Sequence, residues 1–189
     1  MFGSQKMIAP DTVETARLRG ERLVLRHWDI WQRMGADARL METLGGIWKE
    51  AQAKERLEWN VNHWEQTGHG QWLFFMKDSA GFVGRCGIRR MIVNAKEEVE
   101  LGYSVIPEFW SQGFATEMGV TALHVAFKQF RYPSVVAFTL VNNGPSERVM
   151  RKLGFFFEDH IIHAGQPHVL YRRHNPNTPM QATARAQRA

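Results

Sequence analysis

Between Glu100 and Glu117 the chain reads ELGYSVIPEFWSQGFATE, and no other stretch limits the possible folds so tightly. Its first half alternates as a strand does. Val99, Leu101, Tyr103 and Val105 point one way, and Glu98, Glu100, Gly102 and Ser104 the other. Pro107 breaks the strand, and a loop holding Gly113 and Ala115 leads into a helical pattern over Thr116–Phe130. At such a junction several backbone N–H groups lack intrahelical partners, and the macrodipole adds partial positive charge. With little or no side chain at Gly113 and Ala115, a pyrophosphate could come close to that backbone. A turn that uses glycine for geometry alone explains the same residues equally well.

Further on, Ser134–Val141 (SVVAFTLV) is a near-continuous apolar run, as expected of a strand covered on both faces. Next comes NNGPSERVMRKLGF from Asn142 to Phe155, with a short helix over Ser146–Leu153 stopped at Gly154. Asn143 and Ser146 stand at its entry, where both residue types cap well. They also stand at the end of a central strand, where open α/β sheets place ligands. Upstream, Arg22–Arg26 alternates as a first strand, and Asp29 can cap a helix carrying Trp31, Met34 and Ala38. A second helix spans Lys49–Thr67 and ends at Gly68. Strands follow at Gln71–Met76, Phe82–Arg89 and Glu98–Ile106, and later at Phe155–Phe157 and Val169–Arg172. Antiparallel strands first and a helix-crossed pair later predict an α+β sandwich. No internal repeat interrupts the pattern, so residues 15–174 form one expected domain, with 1–14 and 175–189 as flexible termini.

The chain has 189 residues, enough for one substantial core, and its seven Trp and twelve Phe argue against disorder. The net charge of +5 suggests nucleic acid, but its placement does not. From Arg172 onward there are four arginines and no acid, so the body is nearly neutral. No nucleic-acid or membrane partner is expected. No apolar run approaches the ~20 residues of a membrane span. The opening MFGSQKMIAPDTVET lacks a hydrophobic segment, and Cys86 is a lone cysteine, so a cytoplasmic protein is expected. His160, His163 and His168 cluster near the later strands without a nearby cysteine or carboxylate set. They are expected to be structural or to act as a substrate-side base, and no metal is expected. Arg148, Arg151 and Lys152 fit a solvated helix face, with contact to a phosphate of a bound ligand as the alternative.

Four segments in order, RLVLRHW, ELGYSVIPEFWSQGFATE, FTLVNNGPSERVMRKLGF and HAGQPHVLYR, resemble the GNAT superfamily of N-acetyltransferases, and within it the RimJ/RimL-like branch. The resemblance implies a mixed, mostly antiparallel seven-stranded sheet splayed between its fourth and fifth strands and flanked by about four helices. It also implies acetyl-CoA in the gap. Ser111, Gln112, Gly113, Phe114, Ala115 and Thr116 would hold the pyrophosphate. Tyr103–Ile106, Val105 among them, would pair with the pantetheine arm, and Asn143 and Ser146 would line its sulfur end. Two positions depart from the general pattern. Trp110 stands where the superfamily has Arg or Gln, which the RimJ/RimL branch commonly shows. Met150 stands where a tyrosine often protonates the departing thiolate, and a thioether cannot donate.

An acceptor amine with an ordinary pKa near 10.4 is roughly 0.1% or less unprotonated at pH 7, so a base or a water chain must take its proton. Glu100 is the candidate base, with an ion-paired strand carboxylate as its plain alternative. Ser146, one helical turn before Met150, is the candidate acid. Glu117 suits the helix dipole. The expected activity is transfer of acetyl from acetyl-CoA to a primary amine, either a protein N-terminus or a small molecule, in a ternary complex. The alternative is an acyl-CoA-binding sensor of the same fold that does not turn over. A homodimer is compatible with either.

Overall fold

The sheet is built around a strand pair that barely touches. In the computed structural model, which describes residues 7–178, eight strands lie in the order β1-β2-β3-β4-β5-β6-β8-β7. They are β1 (Thr12–Glu14), β2 (Leu18–Arg22), β3 (Gln71–Met76), β4 (Phe82–Val93), β5 (Lys96–Val105), β6 (Ser134–Leu140), β7 (Phe156–His163) and β8 (Gln166–His174). All neighbours run antiparallel except β5 and β6, which are parallel and pair only at Glu100 and Val136. Beyond that bridge the sheet splays. Counted from β2, the gap lies between the fourth and fifth strands, as expected.

One side chain clamps the closed end of the gap. Arg172 on β8 reaches across β6 and donates to both carboxylate oxygens of Glu98 on β5, at 2.7 and 2.9 Å. It also bonds Ser134 on β6 and Glu158 on β7. Such a bidentate, half-buried pair fixes geometry better than an exposed one.

The helices are α1 (Trp28–Ala36), α2 (Ala38–Met41), α3 (Glu50–Thr67), α4 (Phe114–His124) and α5 (Gly144–Lys152). The odd-numbered face of β5 (Val99, Leu101, Val105) packs with Phe114 and Met118 of α4 and with Met150 of α5 in the main core. On the opposite side of the sheet, Trp31, Met34 and Leu57 of α1 and α3 pack with Leu23 and Leu73. α4 connects β5 to β6, the crossover that a parallel pair demands.

Several elements differ from the sequence reading. The first strand is Leu18–Arg22, and Leu25–His27 forms a 3-10 turn, with Val24 N–H donating to the Nδ1 of His27. Leu25 is exposed, so the alternation in RLVLR does not mark a buried face. The expected flexible N-terminal stretch includes Thr12–Glu14, which pairs with β2 as an eighth strand. At the other end, buried Asn175 donates to the carbonyls of Phe127 and Tyr132. Residues 1–6 and 179–189 lie outside the described part. The expected Thr116–Phe130 helix starts at Phe114 and ends in a π-helical stretch, Val125–Gln129. The strands β7 and β8 are longer than expected because Ala164 and Gly165, with φ of 48° and 75°, make a tight hairpin turn.

Candidate active site

Ile106 N–H donates to the Val83 carbonyl on β4 at 2.9 Å. Strand alternation therefore turns the N–H and C=O groups of Val105 and Tyr103 the other way, into the gap. The Val105 carbonyl is already engaged, since the Trp110 indole Nε1–H donates to it at 2.6 Å. Of the expected pantetheine-pairing stretch Tyr103–Ile106, the Ile106 N–H and the Val105 carbonyl are thus used internally. The Tyr103 backbone and the Val105 N–H remain turned to the gap.

Below the gap, Ser111 and Gly113 take left-handed φ values of 62° and 82°, which curl the loop into α4. Gly113 is the N-cap, and no side chain caps the helix. The first helical bond runs from Glu117 N–H to the Gly113 carbonyl, leaving Phe114, Ala115 and Thr116 with N–H groups that have no helical acceptor. A Cβ on Gly113 would meet only the Arg17 Nη2, at 3.8 Å, so the space beside this backbone is open.

Arg17 went unnoticed in the sequence. Its guanidinium lies 3.9 Å from the Phe114 ring centroid and donates to the Gln112 carbonyl at 3.0 Å and to Glu117. Glu117 also accepts from the Arg17 backbone N–H and the Thr15 hydroxyl. Burial opposes its charge, but these donors outweigh it and hold the carboxyl below its ordinary range. Glu117 thus fastens the β1–β2 turn to the loop, and this fastening places a cation beside the open helix end.

Above the loop the two candidate polar residues of α5 part company. Asn143 spends its side chain on the helix start, accepting from Ser146 N–H and donating to the Thr139 hydroxyl. The Ser146 hydroxyl lies 2.9 Å from the Tyr103 phenol oxygen, which also donates to the Ser146 carbonyl at 3.0 Å. Burial raises the Tyr103 pKa, so the phenol stays protonated. Met150 is fully buried in the core.

On the opposite face of β5, Glu100 is 5% exposed and sits at the one bridge to β6. Arg89, its cross-strand neighbour on β4, donates to the same oxygen, Oε2, at 2.9 and 2.7 Å. Among the described residues nothing donates to Oε1. The carboxylate is oriented by one oxygen and free at the other. Trp59 of α3, 46% exposed, lies over the Arg89 guanidinium.

His163 and His168 gather around Phe138 of β6, with ring centroids 4.6 and 5.6 Å from it. His160 stands apart, against Phe157. Burial, with the neighbouring His168, lowers the His163 pKa, leaving a neutral imidazole within electrostatic reach of Glu100. Among the described residues no group of three His, Cys, Asp or Glu could hold a metal. Nor is any described helix long and apolar enough to cross a membrane. Cys86 is buried and its thiol is pushed up by burial, so it is inert.

A splayed α+β sheet with unpaired backbone at the gap, an uncapped helix end below it and a half-free carboxylate beside it defines the class of acyl-CoA-handling transferases. The chain belongs to the GNAT acetyltransferase family, whose domain model, described as "Acetyltransferase (GNAT) domain", matches residues 21–156. It is accordingly an N-acetyltransferase, and members of this family use acetyl-CoA. The "Uncharacterized protein YkkB" of Bacillus subtilis is 26% identical over 141 residues, 75% of this chain and 82% of its own length. An acetyltransferase structure from Agrobacterium tumefaciens superposes with a TM-score of 0.77 at 20% identity, over 88% of this chain and 96% of that one. The ribosomal alpha-N-protein acetyltransferase RimL, in complex with coenzyme A, superposes at 0.70 and 16% identity over 86% and 97%. At these identities the two structures attest the fold.

Proposed function

We propose that the protein transfers the acetyl group of acetyl-CoA to a primary amine by direct attack, with both substrates bound together in the gap. The observation that carries this reading is the position of Glu100, whose free Oε1 stands at the bridge where the gap opens.

The residues divide the work by location. The N–H groups of Phe114, Ala115 and Thr116, with Ser111 and Gln112 in the loop and the Arg17 cation beside it, suit a pyrophosphate. The gap-facing backbone of Tyr103 pairs with the pantetheine arm as an added strand does. Asn143 frames the sulfur end through the helix start that it caps. Glu100 takes a proton from the acceptor amine, whose lone pair forms the new N–C bond as the C–S bond breaks. The Val105 N–H donates to the carbonyl oxygen as it gains charge. The sulfur leaves with the bonding pair, and the Ser146 hydroxyl, held by Tyr103, donates to the thiolate as it takes its proton from water. Trp110 in the loop favours the RimJ/RimL branch.

The test is release of free thiol from acetyl-CoA in the presence of a panel of primary amines, alongside the melting temperature with and without coenzyme A. Stabilisation of ~2.7 kcal/mol is expected at a hundred times the dissociation constant, with thiol release from at least one amine. Stabilisation without thiol release from any amine would make the chain an acyl-CoA-binding module instead. Absence of both would refute the cofactor assignment.

A further inference from the structure

Arg85 on β4 is a buried cation without a carboxylate of its own. It is 8% exposed, and its Nη1 donates to the neutral Gln71 Oε1 at 3.2 Å. Its Nε and the Gln71 Nε2 are both sealed from solvent with no hydrogen-bond partner. Arginine is almost never fully buried unless paired, because an uncompensated charge in a low dielectric is costly. Burial and the neighbouring cations Arg89 and Arg56 lower its pKa to about 10, and Glu100 opposes them only in part. Glu100 itself is bound by Arg89. Arg85 and Arg89 thus face one carboxylate, and the exposed Arg56 adds a third cation nearby. Each lies near an indole of the helical layer, Arg56 by Trp48 at 5.1 Å, Arg85 by Trp31 at 5.8 Å and Arg89 by Trp59 at 5.8 Å.

The geometry relates this surplus charge to the reacting carboxylate. Arg85 pairs with Ser104, Gly87 with Gly102 and Arg89 with Glu100, so Arg85 and Glu100 lie on one face. The Glu100 carboxylate leans over Gly102, where a Cβ would come within 3.2 Å of both its oxygens. That is one register row, about 7 Å, from the row of Arg85. The residue between Arg85 and Arg89 on this face is Gly87, where a Cβ would meet the Gly70 carbonyl oxygen at 1.9 Å, so backbone beside β3 closes the floor of this row.

We propose that Arg85 seats an anionic group carried by the acceptor, so that the substrate is a small amine with a carboxylate one or two carbons from the nitrogen. The proposal rests on the acetyltransferase reading above and narrows its substrate class. An amine bound to the Glu100 Oε1 and a carboxylate bound to the Arg85 guanidinium bridge the two side chains above that floor. The fork suits a carboxylate, which accepts two parallel N–H bonds. The same cations disfavour the ammonium form of the bound amine, which must lose its proton before it attacks.

The test uses the full chain and matched amines: glycine against glycinamide, β-alanine against β-alaninamide, and phosphoethanolamine against ethanolamine. The expected result is kcat/KM for a carboxylated member about tenfold or more above its amide, a preference that Arg85→Gln abolishes without changing the acetyl-CoA dissociation constant. Arg85→Lys keeps a charge and loses the fork, so it should weaken the preference less than Arg85→Gln does. Because either substitution could unfold a buried site, a second measurement uses the wild type alone. With coenzyme A present, N-acetyl-β-alanine should raise the melting temperature and N-acetyl-β-alaninamide should not. A preference confined to phosphoethanolamine supports the anion seat and assigns it a phosphate. Amides turned over as well as acids overturn the proposal and leave acetyl transfer standing. If no amine releases thiol, stabilisation by N-acetyl-β-alanine still supports the seat, and no stabilisation overturns it.

Discussion

His69 is fully buried, and its hydrogen bonds fix its charge state. The Ile88 carbonyl, 3.0 Å from Nδ1, can only accept, so Nδ1 carries the proton of a neutral ring. Nε2 therefore accepts from the Tyr132 hydroxyl at 2.7 Å, and Arg90 Nε donates to the same hydroxyl oxygen at 3.4 Å. A second proton on the ring would confront a donor and stand near a cation. Burial is the largest cause of a pKa lowered to about 4, reinforced by His63 and Arg90 and opposed by the Ile88 carbonyl. The unfolded chain takes that proton near 6.5, so it binds more protons than the native state between about 6.5 and 4. The contribution of His69 is fully present above the unfolded value and is lost as pH falls through that window. At 1.36 kcal/mol per unit, the loss is roughly 3 kcal/mol. His63, held neutral beside it with its pKa also lowered by burial, acts in the same direction.

The assay is chemical unfolding of the wild type and His69→Asn at several pH values from 7.5 to about 4.5. Asn cannot titrate, and its amide can still donate to Ile88. Its baseline stability will be lower because the side chain is smaller. The difference between the two curves should shrink by about 2–3 kcal/mol over that range as the wild type alone loses this contribution. Parallel curves would refute the argument and mean that the native ring accepts a proton near its ordinary pKa.

Gly113→Val should raise the acetyl-CoA dissociation constant about tenfold or more while costing only about 1–2 kcal/mol of stability from its left-handed φ, both read by titration and unfolding. Unchanged affinity would remove the loop from the cofactor site. Glu100→Gln should lower kcat by about 10²–10⁴ with acetyl-CoA affinity nearly unchanged, and wild-type turnover across pH 6–9 would exclude it as the base. Ser146→Ala and Tyr103→Phe should each cost about tenfold in kcat, and together little more than either alone, if Tyr103 acts by holding the Ser146 hydroxyl. Fully additive losses would show that they act separately.

The parts of the fold legible in the sequence are those that local chemistry punctuates. Gln71–Met76 and the helix ending at Thr67 match within a residue because Gly68 and the Asp78–Gly81 turn mark their limits. The Ala164–Gly165 turn lacks the usual Asn-Gly signature, so the sequence shows only two short strands where the hairpin forms. In the site, Glu100 and the loop before α4 could be found from strand alternation and a glycine. Arg17 could not, because its partner Glu117 lies a hundred residues away. Nor could the bond between Tyr103 and Ser146, which depends on how α5 packs against β5. Arg89 became the partner of Glu100 only through the register of the β4–β5 hairpin, set by Asn94 and Ala95 with φ of 49° and 61°. Met150 is fully buried, so a tyrosine substituted there has no room. It would overpack a filled core before it reached any sulfur.

The order of the strands has a consequence for the chain as it is made. From β1 to β5 each strand pairs with the one just before it in sequence, so each pairing closes as soon as its second strand has emerged. The span from β2 to β3, filled by α1 to α3, is the one long excursion. β6 has only a single bridge to offer β5, and its full ladder must wait for β8, near the end of the described chain. Glu98 waits for Arg172 in the same way. A ribosome releasing this protein therefore completes the wall carrying Glu100 and Tyr103 well before the wall carrying Ser146 is held in place. A nucleotide bridging the two would meet its full set of contacts only after the last strand has docked.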